Sequence, residues 1–317
     1  MVLPKFIGDV INTLPAIALL KKLYPDSRID LLVRPYLEQL LLAQPELGVN
    51  LVVDQRYSDK RASTWHKAAL LRNTHYSLAL LFRGSLSEAL LCKLAGIKTI
   101  VGYAQNGRTP LLSHALKLNQ NHHYIQRYCR LVNESHGAPF TEFALPQLQA
   151  KTSPLVDAAK TTIGCYFGGT NKGFRHYPTH LAEQVVAALA EQKNTEVVLL
   201  GDNSEAADNQ AIVTKLGLPN VRNLAGTTAL HELVDVVGNL QLLISIDSGP
   251  MHIAAACNTP CVAIVGLGTS PWSVVAPKAP NFSALVANGT SLDDAKLIEA
   301  ITPAEIITAA QLQLAKF

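Results

Sequence analysis

The stretch from Leu242 to Pro277 is the most informative about fold class: LLISIDSGPMHIAAACNTPCVAIVGLGTSPWSVVAP. LLISI and CVAIV are short runs of branched apolar residues, which are typical of buried parallel strands. Asp247, Ser248 and Gly249 interrupt the first run, and Pro250 has the backbone angle that the first residue of a helix requires. The order strand, loop, helix, turn, strand predicts one repeat of an α/β fold.

The loops that follow these two strands favour an anionic ligand. Ser248 and Gly249 leave backbone N–H groups free at a helix N-terminus, and Gly266–Thr269 form a second small polar loop. In open α/β sheets, ligands bind outside the carboxyl ends of the strands. The stretch therefore predicts a bound phosphate group, although the same residues also fit a plain helix cap followed by a packed His252.

The remainder of the chain repeats the same alternation. Its 317 residues suit two domains, and a hydrophobic fraction of 48% with 16% charged residues describes an ordered globular protein. The repeating strand–helix order predicts doubly wound parallel sheets, hence two similar α/β halves facing each other across a cleft. A connector rich in Pro, Ser and Lys places the expected boundary between domains 1–155 and 156–317.

Both ends of the chain carry local predictions. MVLPKF is expected to form a short first strand, Ile7–Val10 a tight loop, and Thr13 the start of a helix. At the other end, Thr302 followed by Glu305 predicts a capping box on a closing helix.

Several classes of protein are disfavoured by composition. No apolar run reaches the ~18 residues that a membrane helix needs, and the N-terminal residues lack a signal-peptide core, so a cytoplasmic protein is expected. The five cysteines form no CxxC pair and are expected to be buried thiols. There is no HExxH or DxD motif and no clustered set of His and Cys, so no metal is expected.

Charge is divided unevenly along the chain. Residues 1–160 hold 19 Lys and Arg against 11 Asp and Glu, whereas residues 161–317 hold 8 against 13. A basic front half favours an anionic acceptor or a membrane surface. Nucleic acid is the weakest candidate partner, because dense basic runs interleaved with aromatic residues are missing.

Individual polar residues suggest roles, each beside a simpler structural alternative. Asp9 could act as a general base or cap its own loop. Lys172 and Arg175 could neutralise a diphosphate or belong to a solvated loop, and a carboxylate near Gly201, such as Glu205, could bind ribose or favour a helix start. Arg83 and Arg108 are more simply explained as surface residues.

Two longer stretches resemble one known family. KFIGDVINTLPAIALLKKLYP and NLAGTTALHELVDVVGNLQLLISIDSGPMHIAAACNTPCVAIVGLGTSPW resemble the opening motif and the second-half signature of the ADP-heptose:lipopolysaccharide heptosyltransferases, glycosyltransferase family 9. The resemblance implies the GT-B architecture, two Rossmann-like domains with the active site between them. It also implies an inverting, metal-independent transfer of heptose from ADP-heptose to a lipopolysaccharide core acceptor bearing Kdo or heptose.

The resemblance assigns roles by position. Asp9 matches the family's base, and Arg175 stands where the family usually has Lys, which keeps the charge but changes the hydrogen-bonding group. The donor-binding positions implied are Thr170, Glu205, Asp247, Ser248, Gly249, His252 and Thr269, to which the residue chemistry adds Lys172 and Gly201. Arg83 and Arg108 are plausible contacts for an anionic lipid-linked saccharide acceptor, with peripheral contact at the cytoplasmic face of the inner membrane.

Other functions stay open at this stage. The chain could use another nucleotide-sugar or another acceptor, or act as a GT-B-like epimerase, although a basic front half argues against the epimerase. It could also be a non-catalytic nucleotide-sugar-binding protein, since Arg175 and the short first strand depart from the family pattern.

Overall fold

The computed structural model describes residues 1–57, 63–266, 270–287 and 294–316, without the side chains of residues 57, 170, 171 and 294–296. The chain divides into two units, Met1–Pro146 and Gln147–Phe317. The sequence placed this boundary at residue 155, and the structure places it nine residues earlier, after Pro146. The connector belongs to the second unit because it packs there: the amide of Leu148 donates to the carbonyl of Ala256 (3.0 Å).

The first unit alternates short strands with helices. Its helices are α1 (Ile7–Leu23), α2 (Pro35–Leu42), α3 (Thr64–Arg72), α4 (Leu86–Leu94) and α5 (Tyr124–Glu134). Its strands are β1 (Asp30–Val33), β2 (Asn50–Val53), β3 (Leu78–Leu81), β4 (Thr99–Tyr103) and β5 (His114–Leu116). β1 pairs with β2, and β3, β4 and β5 pair in that order, all parallel.

The short first segment completes this sheet. Val2 forms parallel bridges to Leu32 of β1 and to Leu81 of β3. The Val2 amide donates to the Leu80 carbonyl (2.8 Å), and the amide of Leu3 donates to the Leu32 carbonyl (3.1 Å). With Met1–Leu3 in this position, the strand order is β2, β1, Met1–Leu3, β3, β4, β5. The segment is short, as the sequence indicates, but it lies at the centre of the sheet with hydrogen bonds on both sides.

The expected loop at Ile7–Val10 is wrong. α1 begins at Ile7, so Asp9 lies in the first turn of a helix rather than in a loop. The Val10 amide donates to the carbonyl of Phe6 (3.0 Å), which closes that turn. An acidic side chain in a first turn is favoured by the helix dipole, and this explains why the helix extends back to the end of the first strand.

The second unit has more regular elements. Its helices are α6 (Thr179–Ala190), α7 (Ala206–Leu216), α8 (Leu230–Asn239), α9 (Gly249–Ala256), α10 (Trp272–Val275) and α11 (Pro303–Leu314). Its strands are β6 (Thr161–Tyr166), β7 (Thr195–Leu199), β8 (Val221–Asn223), β9 (Leu242–Ile246), β10 (Cys261–Val265) and β11 (Phe282–Val286). Thr302 and Glu305 form the predicted capping box at the start of α11.

The six strands of the second unit form one parallel sheet in the order β8, β7, β6, β9, β10, β11. This is the strand order 3-2-1-4-5-6 of the dinucleotide-binding fold, in which the order reverses between the first and fourth strands. α6 packs with α11 and α8 with α9, and both α11 and α9 contact the sheet. The reversal lies between β6 and β9, so the loops that follow these two strands border the expected ligand position.

Two further expectations concern cysteines and membrane spans. All five cysteines are free, and four of them are buried, with Cys257 half-buried. Burial raises the pKa of the Cys92 and Cys129 thiols to about 12, so these are inert packing groups at neutral pH. Among the described residues, no helix is both long and apolar enough to cross a bilayer.

Candidate active site

In the second unit, the loop after β6 and the loop after β9 are joined by Arg175. A short 3₁₀ segment, Thr170–Arg175, follows β6 and places Arg175 beside the end of β9. One guanidinium nitrogen, Nη1, donates to the backbone carbonyl of Asp247 (3.1 Å). Burial raises the pKa of the Asp247 carboxyl, and the nearby Arg175 charge partly offsets this. A fixed cation therefore lies at the point where the strand order reverses.

The helix that follows β9 presents its N-terminus at the same place. Ser248 is the N-cap of α9, in an extended conformation and without a capping hydrogen bond from its own side chain. Gly249 is the first helical residue, and His252 is buried in the first turn. Orphan backbone N–H groups at such an end carry partial positive charge and bind anions. Arg175 and this helix end together form a site suited to a phosphate.

Glu205 is the most buried carboxylate of the candidate site, with only 1% of its surface exposed. Its Oε1 accepts a hydrogen bond from the Tyr166 hydroxyl (3.0 Å), and its Oε2 accepts one from the Asp202 amide (2.9 Å). Burial and Glu205 raise the pKa of Tyr166, while Ser248 works against this shift, which places the Tyr166 hydroxyl beside the start of α9. Tyr166 thus links the Glu205 carboxylate to the helix end.

Lys172 is paired with carboxylates in this structure. Its Nζ lies 3.5 Å from Glu205 Oε1 and 3.8 Å from Asp202 Oδ2. Ser204 hydrogen bonds, followed by the Lys172 charge, hold the pKa of Asp202 below its usual value. Asp202 is the more accessible of the two acids, with 62% of its side chain exposed. The sequence assigned ribose binding to Glu205, whereas the structure offers Asp202 as the exposed carboxylate of the same cluster.

Three other donor-binding predictions depend on loop geometry. At Gly201, an added Cβ would lie 2.9 Å from Glu205 Oε2, so only glycine lets the carboxylate approach its backbone. The Thr170 side chain and the whole of Thr269 lie outside the described residues. Both therefore remain predictions from the sequence.

Asp9 and Arg83 lie at the corresponding edge of the first unit. Asp9 is half-buried in the first turn of α1, directly after the central segment of the sheet, and Arg83 follows the end of β3. Burial raises the pKa of Tyr36, and Asp9 raises it further, whereas Arg34 and Arg83 lower it. Asp9, Arg34, Tyr36 and Arg83 are therefore close enough to interact electrostatically.

A buried network holds Arg83 in place. Its Nη1 lies 2.9 Å from Glu88 Oε1, and Arg56 Nη2 lies 2.9 Å from Glu88 Oε2, so two arginines share one buried carboxylate. Arg56 also pairs with the buried Asp54, at 2.7 and 2.8 Å. Bidentate pairing of this kind fixes the direction of a guanidinium group. Arg83 is thus positioned by α4 and by the segment after β2.

The sequence analysis describes Arg108 as a surface residue that could contact the acceptor, and the structure places it elsewhere. It is fully buried, with 0% of its surface exposed. Its Nε donates to the Tyr103 carbonyl (2.9 Å), and its Nη1 donates to the carbonyl of Arg83. Burial lowers the pKa of Arg108 to about 10. In this structure Arg108 is therefore not a surface residue, and it supports the backbone of Arg83.

Some residues of these clusters had no separate signal in the sequence. Tyr166 ends a buried strand, and Tyr36 and Glu88 lie on helices whose pattern indicates only packing. Their proximity to Glu205, Asp9 and Arg83 results from strand order, so only a correct sheet topology could have found them. Among the described residues, no group of three or more His, Cys, Asp or Glu side chains is arranged to hold a metal ion.

Comparisons with known proteins identify the family of this chain. The model of glycosyltransferase family 9 (heptosyltransferase) matches residues 65–289. Lipooligosaccharide heptosyltransferase 2 of Haemophilus ducreyi is 27% identical over 294 residues, covering 84% of this chain and 82% of that protein. Lipopolysaccharide heptosyltransferase 3 of Escherichia coli is 27% identical over 304 residues, covering 85% of this chain and 84% of that protein.

A solved structure shows the same fold over the whole length. The E. coli ADP-heptose lipopolysaccharide heptosyltransferase II superimposes with a TM-score of 0.86, at 23% identity, covering 99% of this chain and 98% of that one. With two parallel-sheet units that share one strand order and a family model spanning both, the chain belongs to glycosyltransferase family 9, the heptosyltransferases, and is a glycosyltransferase with the GT-B fold.

Proposed function

We propose that this glycosyltransferase transfers a heptose from ADP-heptose to a Kdo- or heptose-bearing lipopolysaccharide core acceptor. The proposal rests mainly on one observation: Arg175, in the segment after β6, hydrogen-bonds the Asp247 carbonyl next to the N-terminus of α9, so a fixed cation and a helix N-terminus lie together. Such a pair suits the diphosphate of a nucleotide-sugar. The two curated relatives described above are named heptosyltransferases of lipopolysaccharide or lipooligosaccharide, which supports the sugar and the acceptor class.

In the proposed mechanism the two units bind different substrates. The second unit holds the donor, with the diphosphate near Arg175, Ser248 and Gly249 and the ribose near the Asp202–Glu205 cluster. The first unit binds the anionic acceptor near Arg83. Asp9 removes the proton from the acceptor hydroxyl as that oxygen attacks the anomeric carbon, which inverts its configuration. Arg175 and the N-terminus of α9 stabilise the departing diphosphate.

The proposed reaction needs no metal ion, because protein cations and helix N–H groups supply the positive charge. Unchanged turnover after treatment with EDTA supports this part, and loss of turnover that Mg²⁺ restores contradicts it. The configuration of the product's new glycosidic bond, read from proton coupling constants, tests inversion separately. We also propose a cytoplasmic protein that meets the inner membrane peripherally, where a lipid-linked acceptor would be available.

Donor identity is tested by titrating the protein with ADP, UDP and GDP in a calorimeter at equal salt. We expect selective binding of ADP, weakened by Arg175→Met and by Glu205→Gln. Selective binding of UDP or GDP would support the nucleotide-binding site but contradict ADP-heptose as the donor. Turnover of ADP-heptose with a Kdo-bearing lipid acceptor then completes the test.

Asp9→Asn distinguishes an enzyme from a binding protein. We expect this variant to keep its affinity for ADP and to lose turnover by about 10²–10⁴-fold, the usual contribution of a general base. If the parent protein binds ADP but transfers nothing to any acceptor, the non-catalytic alternative replaces the proposal. Conversion of a nucleotide-sugar without an acceptor would instead indicate an epimerase.

A further inference from the structure

Two neighbouring helices of the first unit expose large apolar side chains. The exposed fraction is 71% for Trp65 and 49% for Leu70 on α3, and 43% for Leu90 on α4. The helices pack together, and Arg72 of α3 donates a hydrogen bond to the carbonyl of Leu94 at the end of α4 (2.5 Å). Single exposed apolar residues are normal on a protein surface, but a tryptophan and leucines grouped on adjacent helices mark an interaction site.

The charges around these residues have one sign. Arg72, Lys93 and Lys98 are exposed. From residue 63 to residue 98 the sequence contains a single acidic residue, Glu88, which is buried between Arg56 and Arg83. Apart from that buried carboxylate, every charged side chain in this part of the chain is a cation. The α3–α4 surface, as we call it, consists of Trp65, Leu70, Arg72, Leu90, Lys93 and Lys98.

We propose that the α3–α4 surface lies on an anionic lipid bilayer. Tryptophan is suited to the headgroup region, where its ring is partly buried and its N–H stays hydrated, and leucines can enter the same layer. Lysine and arginine side chains extend along the interface and neutralise lipid phosphates. A protein partner without charge would leave the three cations unused, so charge complementarity favours the anionic membrane.

The position of the surface fits the proposed acceptor. α4 begins shortly after Arg83, so Leu90 and Lys93 on this helix belong to the same strand–helix unit as an expected acceptor contact. The inference deepens the proposed function, because a lipid-linked acceptor is presented at a membrane. It does not depend on the identity of the sugar, and vesicle binding measures it without turnover.

Vesicle binding by the full chain tests the surface. Vesicles of phosphatidylcholine alone are compared with vesicles that also contain phosphatidylglycerol, by sedimentation at low salt. We expect binding to the anionic vesicles, weakened about fivefold by each of Lys93→Gln and Lys98→Gln, which corresponds to the usual contribution of one cation at such a surface. Trp65→Ser combined with Leu90→Ser should reduce it by at least about tenfold.

A matched control changes an equally exposed leucine elsewhere. Leu312 on α11 in the second unit is 64% exposed, and Leu312→Ser should leave vesicle binding unchanged. All variants alter exposed side chains, and equal melting temperatures show that each remains folded. Equal binding of the double variant and the parent would overturn the proposal.

The two tryptophans provide a second, spectroscopic readout. Trp272 lies in the second unit, stacked on Phe282 with ring centroids 6.1 Å apart. Trp272→Phe leaves Trp65 as the single tryptophan, and its emission, excited selectively over tyrosine, should shift to shorter wavelength on anionic vesicles. Trp65→Phe leaves Trp272, whose emission should not shift. If the surface instead joins two copies of the chain, the emission of Trp65 will depend on protein concentration and not on vesicles, which contradicts the proposal.

Discussion

At the scale of single residues, Arg175 is the most informative side chain. The family resemblance places lysine at this position, and both residues carry one positive charge. Arginine adds a planar fork of donors, and here one nitrogen is used to hold the Asp247 carbonyl. A lysine can supply charge to a diphosphate, but its single nitrogen cannot hold the Asp247 carbonyl and also bind a phosphate through two parallel hydrogen bonds. The substitution therefore keeps electrostatic stabilisation and adds a link between two loops.

Two substitutions of Arg175 separate these contributions. We expect Arg175→Met to lower kcat about 10²–10³-fold, as for the loss of one transition-state donor. Arg175→Lys should keep turnover within about tenfold of the parent, because the charge remains. Steady-state kinetics with a saturating acceptor provides the measurement. Comparable turnover in Arg175→Met and the parent would remove Arg175 from the proposed mechanism.

At the scale of elements, one glycine makes room for a side chain of the candidate site, and another makes room for the packing of the core. A Cβ on Gly201 would meet Glu205 Oε2 at 2.9 Å and the Ala225 Cβ at 3.0 Å, whereas one on Gly164 of β6 would meet Leu240 Cδ1 at 2.4 Å. We expect Gly201→Ala to displace Glu205 and raise the Kd for ADP about tenfold. Gly164→Ala should instead overpack the core, at a cost of about 1–3 kcal/mol in the free energy of unfolding.

Calorimetry with ADP and urea denaturation check this pair of variants. The expected pattern is a change in affinity for Gly201→Ala and a change mainly in stability for Gly164→Ala. An unchanged Kd for Gly201→Ala would show that Glu205 does not take part in donor binding.

The ion network beneath Arg83 gives a prediction with a defined pH dependence. Burial raises the pKa of Asp54, but Arg56 outweighs this and holds it below 3.8. Ionised Asp54 therefore stabilises the fold above pH 3.8, and that stabilisation is lost as the pH falls through the lower folded pKa. Arg56→Met leaves Asp54 and Glu88 buried with less compensation, and we expect a loss of about 3 kcal/mol at pH 7.

The sign of the pH dependence reverses in this variant. Without Arg56, burial raises the Asp54 pKa, so Arg56→Met should gain stability as the pH falls from 7 to 5, while Asp54 contributes no such change in the parent. Urea denaturation at both pH values measures this. Arg28→Met is the matched control, since Arg28 pairs with the buried Asp30 but is 63% exposed, and its loss should lower stability much less than the loss of Arg56. A similar slope in parent and Arg56→Met would contradict the network.

At the scale of the whole molecule, the two units carry net charges of opposite sign. The proposed acceptor-binding unit, residues 1–146, holds 17 Lys and Arg against 10 Asp and Glu, whereas the proposed donor-binding unit, residues 147–317, holds 10 against 14. Long-range attraction by a basic surface is screened within about 8 Å at physiological salt. An anionic acceptor would therefore be attracted to the first unit mainly at low ionic strength.

Ionic strength should separate the two substrates. We expect kcat/KM for the anionic acceptor to fall at least about tenfold between low and high salt, because screening removes the attraction to the basic unit. The Kd for ADP should change less, since the second unit carries no net basic excess. Initial rates and calorimetry across a series of NaCl concentrations measure both. Equal salt dependence for the two would show that the charge division does not serve acceptor binding.

Three features could be predicted from the sequence: the alternation of strands and helices, the capped closing helix, and the two motif stretches. These are local properties: the apolar period of LLISI and CVAIV, the Pro250 backbone angle and the pairing of Thr302 with Glu305 need no distant partner. The same locality explains why Asp247, Ser248 and Gly249 could be placed at a strand–helix junction in advance.

Which side chains meet depends on how the chain folds in three dimensions. The position of Met1–Leu3 between β1 and β3 depends on hydrogen bonds from both neighbours, and the link from Tyr166 to Glu205 depends on β6 lying beside β7. Arg108 shows the limit most clearly, because a sequence pattern cannot reveal that a charged side chain is enclosed by the backbone it supports. Such contacts join residues far apart in sequence, and they follow from strand order and packing rather than from local preference.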